Sequence, residues 1–271
     1  AVDLTALLDG WRRYARADVD AAVARYPELV QARSLDASAA SPFAIAVGLR
    51  LALARDQRAL DFFALGQASD FDEQAHEWHA RAALWAGDWE RARKAIDAMP
   101  EALRNQNRWK YWSARVAGEL GDSAAAKRGY AAVMPTDNWY AVLSAARLGK
   151  QFAPTIKPAG VSDAGMDRLA AEAPFVRSRE LALLDMQTEA IAEWRAGYDA
   201  LEPAAQIQAI GLAARWTWYL QAISAAAKLG VFDDYDLLYP HPYDAEVRRG
   251  SSLSGLPPDL IYAIIRQESL Y

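Results

Sequence analysis

One carboxylate in this sequence stands where its chemistry would be altered by its neighbours. On a helix over 257–271, advancing about 100° per residue, Leu260, Ile264, Ile261 and Ile265 form an apolar stripe, and Glu268 falls near its middle. Asp259 and Arg266 fall on the opposite side. A carboxyl group set among Ile and Leu loses hydration, which disfavours its charged form and raises its pKa. A raised pKa lets a carboxylic acid hold its proton near neutral pH and act as a general acid. Glu268 is therefore the candidate catalytic residue. It also lies close to the end of the sequence, where a helix frays and a carboxylate can reach water. Spacing alone leaves both readings open.

Other groupings with chemical potential read as structural. His76 and His79, with Glu73 and Glu77, are the only cluster that looks like metal ligands. Their spacing is not that of the His-Glu-x-x-His zinc motif, so a structural or surface role and no metal are expected. Asp233, Asp234 and Asp236 lack the Gly and terminal Glu of a calcium loop and read as a polar turn. Ser251, Ser252 and Ser254 have no paired histidine to make a nucleophile. Of ten tryptophans, Trp78, Trp112 and Trp139 are expected to pack between helices, whereas Trp216 and Trp218 fit either a core or a groove.

Composition bounds the class. A 271-residue chain that is 53% hydrophobic and 24% charged folds. A formal net charge of −5 argues against a nucleic-acid partner. The absence of cysteine excludes disulfides and thiolate chemistry. No apolar run approaches the ~20 residues of a membrane span. The start, Ala1-Val-Asp-Leu, has neither an initiator Met nor an apolar leader, and the expectation is a chain whose signal peptide has been removed.

Ala, Leu, Arg and Glu dominate most windows and period-2 alternation is absent, so the fold class is all-α. Helices are expected near 3–17, 27–35, 42–54, 56–66, 71–86, 89–98, 106–120, 123–133 and 138–148. Beyond a Pro/Gly segment at 151–162, more are expected near 163–172, 175–184, 187–198, 203–214 and 217–228. A break at 231–243 precedes a short helix near 244–250, a Ser/Gly loop to Gly255 and the last helix. An internal repeat organises the middle. Trp78 and Trp112 are 34 residues apart, as are Gly87 and Gly121, Asp88 and Asp122, and Ala92 and Ala126. Each unit reads as helix, Gly-Asp turn, helix, with Gly closing one helix and Asp capping the next. That period is characteristic of tetratricopeptide-like hairpins, which stack into a superhelix. Arg55-Asp56, Leu148-Gly149 and Leu229-Gly230 read as degenerate versions of the same turn. Three regions follow: 1–150, 151–243 and 244–271.

The run Leu256-Pro-Pro-Asp-Leu-Ile-Tyr-Ala-Ile-Ile-Arg-Gln-Glu-Ser269 resembles the opening of the catalytic domain in the soluble lytic murein transglycosylase family. Trp109-Lys-Tyr-Trp-Ser-Ala-Arg115 with the Gly121 turn, Trp139-Tyr140 and Tyr239-Pro-His-Pro-Tyr243 resemble that family's superhelical domain and its approach to the catalytic domain. The resemblance implies a right-handed α-solenoid ending in the first helix of a lysozyme-like domain, cut short after its acid, Glu268. It implies cleavage of the MurNAc-GlcNAc β-1,4 bond to 1,6-anhydromuramyl products by one Glu, without cofactor or metal. It further implies peptidoglycan glycan strands as partner, a periplasmic location, peripheral association with the cell wall and a monomer. The rest of the catalytic domain, with its Gly-Leu-Met-Gln motif, has no counterpart here, so 1–271 alone is expected to be inactive. The rival expectation is a tetratricopeptide-like adaptor without catalysis. An adaptor would end in a polar capping helix, whereas this sequence ends in an apolar one.

Overall fold

The computed structural model describes residues 3–269 and 271. Two compact units, Ala1–Ala153 and Pro154–Tyr271, meet within the Pro/Gly segment. The first contains α1 (Leu4–Ala17), α2 (Val19–Ala32), α3 (Ala37–Leu53), α4 (Ala59–Ala64), α5 (Glu73–Ala86), α6 (Trp89–Asp97), α7 (Glu101–Arg104), α8 (Asn107–Glu119), α9 (Ser123–Val133) and α10 (Trp139–Arg147). The second contains α11 (Asp163–Ala170), α12 (Ala173–Leu183), α13 (Gln187–Asp199), α14 (Pro203–Arg215), α15 (Tyr219–Leu229), α16 (Tyr235–Leu238), α17 (Asp244–Ser254) and α18 (Pro258–Ser269). No strand occurs among the described residues. The fold is all-α, as the sequence implies.

The same chemistry starts and stops these helices again and again. Asp3, Asp18, Asp36, Asp72, Asp88 and Asp122 each accept a hydrogen bond from an amide two or three residues on, satisfying a donor that the first turn leaves open. At the other end, Gly87 (φ 68°) and Gly121 (φ 90°) take the left-handed conformation. The next amide, of Asp88 or Asp122, then donates back to the carbonyl of Ala83 or Ala117. This six-residue closure consumes a carbonyl orphaned by the last turn and reverses the chain. Helices α5–α6 and α8–α9 are thus two copies of one hairpin at the 34-residue offset read from the sequence.

The copies match in packing too. Ala92 and Ala126 are both buried, and so are Ala80 and Ala114 at the same offset. A Cβ at Gly129 would come within 2.6 Å of the Ala114 Cβ; at the same offset in the first copy stand Ala95 and Ala80, both buried. Small residues at this crossing let the two backbones approach. Around it the first unit buries Phe43, Val47, Leu51, Phe63, Ile96 and Trp109. The second has its own core, centred on Phe175, Trp194, Tyr198, Ile210 and Leu212.

Three expectations are corrected. The second helix begins at Val19 rather than near 27, with Pro27 inside it; the usual reluctance of the residue before proline to be helical is overridden by tertiary packing. Likewise α3 begins at Ala37, ahead of Pro42. The expected Ser/Gly loop at 250–255 is the end of α17. Its Ser252 and Ser254 hydroxyls donate to the carbonyls of Arg248 and Gly250, four residues back, a bond that keeps serine inside a helix.

These observations predict distinct outcomes for two glycines. Gly121→Ala, which meets open space but must hold a positive φ, is expected to cost about 1–2 kcal/mol in urea unfolding. Gly129→Ala is expected to cost about 1–3 kcal/mol by overpacking. Adding Ala114→Gly should recover part of the second loss and none of the first. Equal recovery of both would contradict the close-approach reading.

Candidate functional site

Helix α18 carries the Arg266-Gln-Glu268 run, and its surroundings invert the expected orientation. The side that faces protein is the one bearing Tyr262 and Arg266. Tyr262 is buried, lies 4.6 Å from the His241 ring, and its hydroxyl reaches the Asp244 carboxylate at 3.5 Å. Burial and the neighbouring Asp244 raise the Tyr262 pKa. Asp244 is held below the usual carboxylate range by its hydrogen bond from Arg248, at 2.6 Å. The Arg266 guanidinium sits 5.5 Å from the centre of the Tyr239 ring, a cation–π arrangement, while its buried Nε and Nη1 have no hydrogen-bond acceptor among the described residues. Tyr239 in turn meets Tyr235 edge-on at 5.3 Å, and Tyr271 meets Tyr219 at 6.1 Å.

Tyr239-Pro-His-Pro-Tyr243 is therefore the seat of the last helix. Its prolines bar a helix, as expected, and its aromatic side chains contact α18 from one side. Tyr243 takes a left-handed conformation (φ 57°) to start α17.

The opposite side of α18 is open. Leu260 is 45% exposed, Ile264 51%, and Leu253 and Leu256 nearby are exposed as well. Glu268 is exposed with them. The expected desolvation of Glu268 is thus corrected: of its apolar neighbours Ile261 and Ile265 are half-buried, but Leu260, Ile264 and Glu268 lie together on the exposed edge of the stripe, so the carboxylate meets water. Sequence periodicity identified the stripe and could not show which side of the helix the protein would cover.

The remaining groupings have structural partners. His76 is buried against Phe71 at 5.2 Å, and His79 lies 4.9 Å from Phe63 and 5.6 Å from Phe71. Glu77 is bound by Arg81 at 2.9 Å and by Arg108. Asp234 is buried, accepting from the Ala159 amide at 2.8 Å and from the Leu237 amide at 3.2 Å. It ties the Pro/Gly segment to α16. Trp78 and Trp112 are half-buried in the first core, but Trp139 is 66% exposed, correcting its expected core position: it is the first residue of α10 and projects from the helix start. Trp216 and Trp218 are half-buried and meet edge-on at 5.3 Å.

The hairpins with their Pro-seated terminal helix define an α-helical scaffold class, and comparison with known proteins shows what it is similar to. Residues 168–235 match the soluble lytic murein transglycosylase L domain. The chain is 26% identical over 268 residues to the soluble lytic murein transglycosylase of Salmonella typhimurium, covering 95% of this chain and 40% of that protein. To the Escherichia coli K12 protein of the same name it is 25% identical over 196 residues, 72% of this chain and 30% of that protein. Among solved structures, an inactive mutant of lytic transglycosylase Slt from Pseudomonas aeruginosa matches with a TM-score of 0.81 and 26% identity, covering 97% of this chain and 43% of the other. The 70-kDa soluble lytic transglycosylase in complex with bulgecin A shares the fold, with a TM-score of 0.80 and 23% identity over 96% and 42% of the two chains. The matched domain model, the curated relatives and the solved structures agree in likening the chain to the soluble lytic murein transglycosylases. The chain spans 30–40% of the length of these curated relatives.

The buried imidazoles yield a pH prediction. Burial, reinforced by His76 and Arg91, pushes His79 down to about 4, while in the unfolded chain it titrates near 6.5. The unfolded state therefore takes the proton first, so this contribution to stability is complete above pH ~6.5 and is lost as pH falls toward 4. His79→Leu is expected to flatten urea stability against pH in that window. An unchanged slope would contradict burial of the neutral ring.

Proposed function

We propose that this chain is the scaffold region of a peptidoglycan lytic transglycosylase, with 1–150 and 151–243 as its helical-repeat regions and 244–271 as the start of the catalytic domain. The observation that carries the reading is the presentation of Glu268. A helix secured from its Tyr262–Arg266 side offers Leu260, Ile264 and Glu268 together on a free face, in a chain similar to these transglycosylases. Further parts of a catalytic domain seated on that face would strip water from the carboxyl and favour its neutral, proton-donating form. The acid then becomes competent only when covered.

In the proposed chemistry Glu268 donates its proton to the glycosidic oxygen between N-acetylmuramic acid and N-acetylglucosamine as the C1–O bond breaks. The carboxylate left behind accepts the proton of the muramyl C6 hydroxyl as that oxygen bonds to C1. The product is a 1,6-anhydro sugar, no water is consumed, and Glu268 ends protonated as it began. Ordinary glycosidases divide this work between two carboxyls; here one alternates between acid and base. Glycan strands are the proposed partner, met in the periplasm by a monomer associated peripherally with the wall. No helix among the described residues is long and apolar enough to cross a membrane.

Because an exposed acid cannot orient a sugar, chain 1–271 by itself is expected to release no anhydromuropeptides from sacculi. In the full-length protein Glu268→Gln is expected to lower their release by about 10²–10⁴-fold, measured by mass spectrometry. Turnover retained in that variant would place the acid elsewhere.

A further inference from the structure

A cavity of about 250 Å³ is lined by Arg12 and Arg16 from α1, by Arg50 from the end of α3, and by Asp70, Asp72 and Gln74 from the chain entering α5. Arg12 and Arg16 are one turn apart on α1, and Arg50 comes from the last turn of α3. None of the three makes an ion pair or hydrogen bond among the described residues. The contrast with nearby arginines is sharp: Arg13 pairs with Asp9, and Arg58 takes both Asp20 and Asp56. Arg50 is half-buried, and burial together with the neighbouring Arg16 pushes its pKa down. Arg16 and Arg50 repel one another, and a carboxylate bound between arginines that have no ion pair would relieve that repulsion through paired, charge-assisted hydrogen bonds.

The acidic residues are arranged differently. Asp70 accepts the Ser41 hydroxyl through Oδ2 at 2.5 Å, and Asp72 caps α5 through Oδ1 at 2.7 Å from the Ala75 amide. Each carboxylate has one oxygen engaged and fixed in place, and neither neutralises the arginines. A bare anion would have to approach both carboxylates; a group carrying a positive charge beside its negative one would find a counterpart for each. Ile45 and Leu49 supply apolar surface in the same cavity, suited to the methylenes that separate two such charges. The volume admits a head group rather than a whole ligand.

We propose that this cavity binds the zwitterionic end of a short peptide, its carboxylate on Arg12, Arg16 and Arg50 and its ammonium on Asp70 and Asp72. If the chain acts on peptidoglycan, as proposed above, that end is the diamino-acid terminus of the peptide stems; this assignment rests on that reading, whereas the head-group chemistry does not. The scaffold would then hold the peptide arm of the polymer whose glycan Glu268 cleaves.

The test is titration calorimetry of chain 1–271 with the tripeptide L-Ala-γ-D-Glu-meso-diaminopimelate acetylated at its alanine amine, the same tripeptide with its diaminopimelate amine acetylated as well, and inorganic phosphate. Binding of the tripeptide with its diaminopimelate amine free is expected, with acetylation of that amine and Arg50→Gln or Arg16→Gln each weakening it about ten-fold or more, the effect of one lost charged hydrogen bond. Thermal unfolding of each variant separates lost binding from lost folding, and the exposed Arg16 position is expected to leave it unchanged. Absence of tripeptide binding, binding indifferent to the arginines, or phosphate binding as tightly as the tripeptide would overturn the proposal. None of these outcomes bears on the loss of anhydro products in Glu268→Gln, so failure here and failure of the catalytic reading are distinguishable.

Discussion

A helix can reverse tightly and still satisfy its last carbonyls when the residue after its final turn adopts a left-handed backbone, and among the described residues one such closure recurs at Ser34, Arg55, Gly87, Gly121, Gly149, Asp185, Thr217 and Gly230. At each, the following amide donates to a carbonyl five residues back, at 2.9–3.0 Å. Glycine takes this conformation without cost from a Cβ, Asp tolerates it, and Arg and Thr are strained in it. That Arg55 and Thr217 hold it nonetheless shows how much the packed hairpins on either side constrain the turn. The closure fixes where each second helix begins, and the aspartate caps after several of these turns secure that beginning.

Once the hairpins are set, small residues decide how closely they pack. Ala114 meets Gly129 closely, and Ala80 and Ala95 hold the same positions in the preceding copy. Each unit thereby gains buried core from short helices that would not persist alone in water. The last helix is built on another principle. It has one buried side chain, Tyr262, and an aromatic seat from Tyr239 and His241. The edge of its apolar stripe at Leu260 and Ile264 stays open, and Glu268 with it. The candidate acid is thus positioned by the scaffold but not yet given the dry surroundings that its proposed chemistry requires.

Much of this was legible in the sequence, and for physical reasons. Gly-Asp pairs at a fixed offset announce a left-handed stop followed by a cap, so the α5–α6 and α8–α9 hairpins could be read directly. The turns at Asp185 and Thr217 escaped notice because neither residue type demands a positive φ. The start of α2 was hidden by Pro27, and the end of α17 by serines that back-bond into their own helix rather than ending it. Trp139 was assigned to the core by analogy with its neighbours, yet a first-turn position leaves it in solvent. For Glu268, periodicity gave the correct neighbours and the wrong environment. The pattern orders side chains around a helix, but which side is covered depends on what the rest of the protein supplies, and here Tyr239, His241 and Asp244 supply it for Tyr262 and Arg266.

The central claim is that the hairpins are complete in themselves while α18 presents an uncovered face. Hydrogen–deuterium exchange of chain 1–271 tests it most directly. The closing amides of Asp88 and Asp122, and those of Met186 and Trp218, are expected to exchange as slowly as the core of their own unit, and the amides of α18 orders of magnitude faster. Protection of α18 equal to that of α8 would contradict the account.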